Sequence, residues 1–527
     1  MRGPVPLLCV ALLCASGPAF SACTGTVFED RNADGARSAR EPGLAGVAVS
    51  DGLQVVRTDS RGRYALTSPA GRSVFVIKPA THALGTLGNA RPAHWKPAQG
   101  RAIACGDFAL RPRENPKGAL DVLVFADTQT RTPIDVDYYT RDIVDSVLSD
   151  SQALKGARAR VADLGITLGD VVGGGATALY PLLDVATARL GTPWLHVAGN
   201  HDMEAGPPED AKSLSAFELH YGPDTFAWEE PQATFVLLDN VVAQPGRAPG
   251  YIGGLRESQF GFLEQYLSTG RTDRLLVVAL HIPLFESAPG QHAFRNADRA
   301  RLFALLARFP NVLVLSGHTH TQRHVMHGAD SGWAGAQPLH EYNVGAASGA
   351  FWSGVKDAAG IPDATMSDGT PNGYARLRVE ADGRYALSWH PARLGAGNAS
   401  FTPAMALHAP RVLRRGAYPA WGVYANVFMG LDDTRVEFRV GQGDWLPMRR
   451  VDAPDPRLVI ENARDDTADA LRGYDRSPEA RPSAHLWRGA LPTDLELGEH
   501  RVEVRAFDRW LGEQRAAIRY RLEDAAP

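Results

Sequence analysis

Between residues 118 and 400, six short apolar runs alternate with stretches of helical pattern. The runs are Leu120–Ala126, Leu164–Leu168, Trp194–Val197, Phe235–Leu238, Leu275–Leu280 and Val312–Leu315; the helical stretches are Tyr138–Leu148, Leu179–Leu190, Glu257–Leu267 and Ala297–Ala307. Apolar runs of this kind read as strands covered on both faces. Strands interleaved with helices demand an α/β architecture. The span 118–400 is therefore predicted as the α/β heart of the chain.

The flanks carry a different pattern. Residues 22–112 hold short β runs such as Val47-Ala48-Val49 and Ser73-Val74-Phe75-Val76-Ile77, punctuated by turns at Asp51-Gly52, Ser60-Arg61-Gly62 and Ala70-Gly71. A small β-sandwich is expected there, followed by a Pro-rich linker at Arg111 to Pro116. From 401 to 527, Thr434–Val440 and His500–Ala506 alternate with a period of two, which predicts a second β-sandwich with one solvated face. Three folded domains suit a chain of 527 residues at roughly 100–200 residues per domain.

Residues 1–21 read as a signal peptide, which predicts a periplasmic or secreted protein. Arg2 supplies the positive end, Leu7 to Leu13 the apolar segment, and Ala19-Phe20-Ser21 a small-residue cleavage site after Ser21. Lipid attachment at Cys23 is disfavoured because Phe20 stands where such sites want Leu. No later segment is long and apolar enough to span a bilayer. Cys9 and Cys14 leave with the leader, and Cys23 and Cys105 remain as an even pair bracketing the first domain. In an oxidising compartment that pair is expected to form a disulfide. The net charge of −4 offers no nucleic-acid-binding surface.

Five polar clusters close the apolar runs of the middle span. They are Asp127-Thr128-Gln129, Gly169-Asp170, Gly199-Asn200-His201-Asp202, His281 and Gly317-His318-Thr319-His320. In α/β sheets, ligands collect beyond the carboxyl ends of the strands, so these groups can converge on one site. Two Asp, one Asn, one Gln and several His make a donor set for hard or borderline divalent cations. A carboxylate that bridges two such ions about 3.5–4 Å apart suits phosphoryl chemistry.

The ordered series Asp-x-Gln, Gly-Asp, Gly-Asn-His-Asp, His, Gly-His-x-His resembles the calcineurin-like metallophosphoesterases over about 118–400. The resemblance implies a four-layer αββα sandwich, flanked here by the two β domains. It implies one metal held by Asp127, Gln129, Asp170 and His320, and a second held by Asp170, Asn200, His281 and His318. It further implies attack on phosphorus by a hydroxide between the metals, with His201 assisting the leaving group. Asp202 is expected to orient His201 by accepting its other ring proton. Gln129 departs from the usual Asp-x-His of the family, and its carbonyl oxygen favours Mn²⁺, Fe or Mg²⁺ over Zn²⁺.

Two Gly-rich segments, Asn343 to Trp352 and Asp368 to Tyr374, resemble parts of a family branch with extra N- and C-terminal β domains. They nominate Asn343, Trp352, Asp368 and Asn372 as substrate-binding residues. Pro482 to Trp487 and Phe507-Asp508-Arg509 resemble the C-terminal domain of that branch, with Trp487 expected in its core. In the first domain, Asp30, Asn32, Asp34 and Glu41, with Gly35, match the one, three, five, six and twelve positions of a calcium loop. The match looks similar to the Ca²⁺ loops of bacterial surface β-sandwich repeats.

The functional expectation is a metal-dependent hydrolase of phosphomonoesters or phosphodiesters, acting on a small or envelope-derived phosphate ester. Two alternatives stand beside it. One is a nucleotide or sugar-nucleotide pyrophosphatase, and the other a non-catalytic cell-envelope binding protein.

Overall fold

A computed structural model describes residues 20–524, apart from 70–71, 88–90, 99–104, 114–117, 156–160, 205, 207–208, 287–292, 393, 395–397 and 419–420. All but the last two residues of the expected signal peptide lie outside the described residues.

Two mixed sheets stack face to face in the middle of the chain. The first has five strands in the order Trp194–Val197, Leu164–Leu168, Leu120–Phe125, Gly373–Val379, Tyr385–Pro391. Its first three strands are parallel, and Gly373–Val379 runs antiparallel to Leu120–Phe125. The second has six strands in the order Thr225–Glu229, Ala233–Leu238, Leu275–Ala279, Val312–Ser316, Leu339–Asn343, Arg323–His327. Its four inner strands are parallel.

Alternation along Leu120–Phe125 shows how the layers are built. Leu120, Val122 and Val124 face the core shared by the two sheets. Leu123 and Phe125 face the other way, into a core with Tyr139, Val144, Leu183 and Phe217. Helices Pro133–Tyr138, Asp145–Lys155, Tyr180–Ala188 and Ser215–Tyr221 cover that face. Helices Glu257–Ser268 and Asn296–Leu306 cover the outer face of the second sheet through Phe260, Leu263, Leu302 and Phe303. Both faces of each sheet are thus sealed, which is why the strands read as continuous apolar runs.

One helix begins earlier than its periodicity suggests. The stretch predicted from Tyr138 starts at Pro133, after Thr132. Thr132 Oγ1 accepts from Asp135 N while Asp135 Oδ2 accepts from Thr132 N at 3.0 Å. That reciprocal cap satisfies two end donors, and proline at the first position costs no hydrogen bond.

The N-terminal region is a β-sandwich. Strands Phe20–Glu29, Arg63–Pro69, Phe108–Pro112 and His82–Leu84 form one sheet, and Ala48–Ser50, Val55–Arg57, Val74–Val76 and Trp95–Lys96 the other. Val27, Val49, Leu66, Val76 and Phe108 fill it. A disulfide joins Cys23 to Cys105 with Cα atoms 5.6 Å apart. The sandwich is not a loose appendage, because Phe75, Ile77 and Trp95 belong to the same core as the two central sheets. Lys78 adds a buried ion pair to Glu230 at 2.8 Å, with Arg113 on the other carboxylate oxygen at 2.5 Å.

The C-terminal region also forms two sheets around Met405, Val423, Phe438, Trp487, Val504 and Tyr520. It carries a helix that β patterning did not predict, Pro456–Asp466, capped by Asp455 and begun by a proline. The segment after this helix returns to the central domain, where Gly354 and Asp475 form a bridge.

Candidate metal centre

Every expected donor sits just past the carboxyl end of a parallel strand. Asp127, Asp170 and Asn200 leave the first sheet, and His281, His318 and His320 leave the second. The chain must reverse sharply there to aim side chains at one point. Asp127 (φ 49°), Gln129 (39°), Asp170 (49°), His318 (73°) and His320 (51°) all adopt the left-handed conformation. Each such residue costs about 1–3 kcal/mol and persists only where its surroundings impose it. The glycines of the motifs are explained by close approach. A Cβ on Gly199 would stand 2.2 Å from Asp170 Oδ1, and one on Gly317 would stand 2.7 Å from Asp127 Oδ2.

Asp170 lies at the centre. Its Oδ2 accepts from Gln129 Nε2 at 2.7 Å and lies 3.4 Å from His281 Nε2, and its Oδ1 accepts from His201 N at 2.7 Å. His281 Nε2 is 3.0 Å from Asn200 Oδ1 and 3.2 Å from His318 Nδ1. Donor atoms of Asp170, His281 and His318 lie within 4.8 Å of one another. On the other side, His320 Nε2 is 3.5 Å from Asp127 Oδ1, and Asp127 also receives the backbone N–H of His318. The far ring nitrogens are anchored: His281 Nδ1 donates to Leu168 O at 2.8 Å, and His320 Nδ1 donates to Gly349 O. Each ring thereby turns its Nε2 toward the centre, as metal-ligating histidines do.

The donors fit divalent cations. Asp127 and Asp170 are fully buried, and no lysine or arginine among the described residues forms an ion pair with either. Gln129 Oε1 is buried without a hydrogen-bond partner. Electrostatics point the same way. Burial opposes a proton on His281, but the charges of Asp170 and Asp127 outweigh it and push the imidazole up to about 9. Burial, reinforced by His281, pushes His318 down to about 3. Burial also raises Asp127, against the nearby His320 and His281. Two buried carboxylates that hold a proton on His281 against its burial suit a cation.

Two expected roles need correction. The Asp202 carboxylate makes no hydrogen bond to the His201 ring. It accepts from the N–H groups of Val171, Val172 and Gly199 at 3.1, 3.2 and 2.9 Å and from the Tyr180 hydroxyl at 3.1 Å. It ties its own turn to the turn at Val171-Val172 and to the start of the helix Tyr180–Ala188. Burial, then the charge of Asp170, pushes it up to about 7. His201 is oriented instead by Gly174, whose N–H donates to Nδ1 at 3.2 Å.

The four expected substrate-binding residues are scaffold. Asn343, Trp352, Asp368 and Asn372 are all at most 1% exposed. Asn343 is the last residue of a strand, not a loop, and donates to Thr319 Oγ1 and Thr321 O. Trp352 donates to Thr128 O at 3.0 Å, and Asn372 donates to Asp142 and to Ala347 O. Asp368 accepts from the N–H groups of Gln322 and Thr370 and faces His485 of the C-terminal region at 3.2 Å. Burial opposes its charge, but these donors and His485 hold its pKa below the usual value.

The exposed aromatic of that segment is Phe351, also left-handed at φ 58° and 44% exposed. Its ring lies 4.5 Å from that of His320, with the Arg131 guanidinium 5.2 Å above it. Tyr251 approaches His318 edge-on from a short hairpin. Sequence reading missed Arg131, Phe351 and Tyr251. Arg131 stands two residues after Gln129, a position that could have drawn notice.

Comparisons with known proteins point to one family. The calcineurin-like phosphoesterase family matches residues 120–322, and the families describing its N-terminal and C-terminal regions match 31–113 and 341–514. A 3',5'-cyclic adenosine monophosphate phosphodiesterase of Pseudomonas aeruginosa is 30% identical over 226 residues, 42% of this chain and 72% of that protein. A probable cyclic nucleotide phosphodiesterase of Synechococcus is 29% identical over 164 residues, 31% of this chain and 60% of the relative. Among solved structures, a dimetal phosphatase from Danio rerio is 15% identical, with a TM-score of 0.34 over 51% of this chain and 95% of that one.

Proposed function

The chain belongs to the calcineurin-like phosphoesterases, hydrolases acting on phosphate esters, and on that premise we propose that it is an exported, two-metal phosphodiesterase. The convergence of seven donors, Asp170 among them, with five of them in left-handed conformation, carries the reading. Asp127, Gln129, Asp170 and His320 would hold one cation, and Asp170, Asn200, His281 and His318 the other. Bound there, the cations would supply Lewis-acid polarisation and charge neutralisation at the phosphoryl group.

The chain's own groups account for the remaining chemistry. Because Gly174 N–H donates to His201 Nδ1, a neutral His201 carries its proton on Nε2. That N–H can donate a hydrogen bond to a departing ester oxygen and stabilise the charge developing on it. Arg131 and Phe351 at the edge of the centre offer a charge and a flat apolar face to the organic part of an ester. The preference for diesters rests on the two relatives, both described as phosphodiesterases of cyclic nucleotides. Export is supported by the N-terminal sequence and by the Cys23–Cys105 disulfide, a bond typical of oxidising compartments.

The test is hydrolysis of bis(4-nitrophenyl) phosphate and 4-nitrophenyl phosphate by Mn²⁺-supplemented protein. Faster turnover of the diester is expected. Faster turnover of the monoester would overturn the diester assignment, and no turnover of either would overturn the catalytic reading.

A further inference from the structure

We propose that the turn Asp30–Glu41 of the N-terminal sandwich is a Ca²⁺ site, with Asp30, Asn32, Asp34 and Glu41 as its side-chain ligands. It is separate from the metal centre, being built on the strand Phe20–Glu29. Oxygen-bearing side chains at positions one, three, five and twelve with glycine at six suit a cation that takes six to eight oxygens. The fold brings them together: carboxylate oxygens of Asp30, Asp34 and Glu41 lie within 4.8 Å of one another.

Burial supplies the second, independent observation. Asp30 is only 3% exposed, and its Oδ1 is buried without a hydrogen-bond partner. A buried carboxylate oxygen left unpaired is costly, and buried charges are ordinarily paired or bound to metal. Neighbouring cations do not balance the cluster. Arg111 Nε is 3.9 Å from Asp30 Oδ2, beyond hydrogen-bond range, and its terminal nitrogen donates to Ala33 O instead. Arg31 is engaged by Glu29 at 2.6 Å. Among the described residues, three carboxylates therefore face one distant guanidinium.

The loop is also held ready. Glu29 N donates to Pro42 O at 2.9 Å, closing its ends, and Asp30 N donates to Leu110 O at 2.8 Å, tying it to the neighbouring strand. Glu41 is fixed by the N–H groups of Arg31 and Ser38 on separate oxygens. Gly35 is left-handed at φ 74°, which sharpens the turn at position six. A Glu at the last position, able to offer both oxygens, and an all-oxygen donor set favour Ca²⁺ over Mg²⁺, which demands tighter octahedral geometry. Affinity is expected in the range of extracellular modules, roughly 10⁻⁴–10⁻³ M.

The experiment is equilibrium dialysis of the full chain against radioactive Ca²⁺ at millimolar concentration, comparing wild type with Asp34→Ala. Comparing the two cancels any Ca²⁺ taken up at the metal centre. Asp34 is exposed, so its loss should not unfold the chain, and Asn32→Ala serves as a second variant. Each variant should bind one Ca²⁺ fewer per chain than wild type and keep its Mn²⁺-dependent hydrolysis. Mg²⁺ at equal concentration should not displace the ion. Equal Ca²⁺ binding by wild type and both variants, or displacement by equimolar Mg²⁺, would overturn the proposal.

Discussion

The backbone N–H of Gly174 donates to Nδ1 of His201 at 3.2 Å and so selects which ring nitrogen of the neutral imidazole carries the proton. If the Nε2–H of His201 stabilises the departing oxygen, the effect of removing it should depend on the leaving group. His201→Ala is expected to slow an alkyl phosphodiester by roughly 10²–10³-fold and a nitrophenyl ester far less, because nitrophenolate carries its charge without such help. Metal content should be unchanged. Measuring kcat/KM on both esters checks this, and an equal loss on both would make His201 a phosphate clamp instead.

Asp202 should behave differently from His201. Its carboxylate closes four buried hydrogen bonds between turns. Asp202→Ala would leave buried N–H donors unpaired, at a cost of about 3 kcal/mol or more. Thermal unfolding should show a large drop in Tm, and the residual activity should fall alike on both ester types. A stable variant with a loss dependent on the leaving group would restore a catalytic role to Asp202.

Which parts of this molecule are legible in its sequence follows from burial. Leu164–Leu168 and Trp194–Val197 are recovered with their observed limits because strands covered on both faces leave continuous apolar runs. The strand Arg323–His327 escaped because it is an edge strand with three basic residues in five. The metal donors were legible because Asp, Asn and His beside glycine at strand ends have few other reasons to recur. Their neighbours were not. Asp368 looks like a loop residue, yet His485, more than a hundred residues later, helps to bury it. Phe351 and Trp352 are adjacent and both left-handed, but one is exposed and the other is not. No periodicity marks that difference.

The join between the N-terminal sandwich and the central sheets should weaken in acid. His94 is 3% exposed and packs against Phe226 and Trp228, with Nδ1 bonded to Pro92 O. Burial pushes it down from 6.5 to about 4. A depressed histidine contributes stability that is fully present above pH 6.5 and is lost as the pH falls through 4. The shift corresponds to about 3 kcal/mol. Partly buried His196 and His324 and buried His340, all depressed chiefly by burial, add to the same slope. Urea unfolding between neutral and acid pH should show His94→Phe losing less stability than wild type. Identical slopes would contradict the assignment.

The central claim is that Asp170 serves two cations at once, and metal analysis of Mn²⁺-loaded wild type and Asp170→Asn tests it most directly. About two ions per chain are expected in wild type. The variant, lacking the shared charge, should lose affinity at both positions and most of its hydrolysis. Fewer than one tightly held ion in wild type, or an Asp170→Asn variant that keeps two ions and full activity, would contradict it.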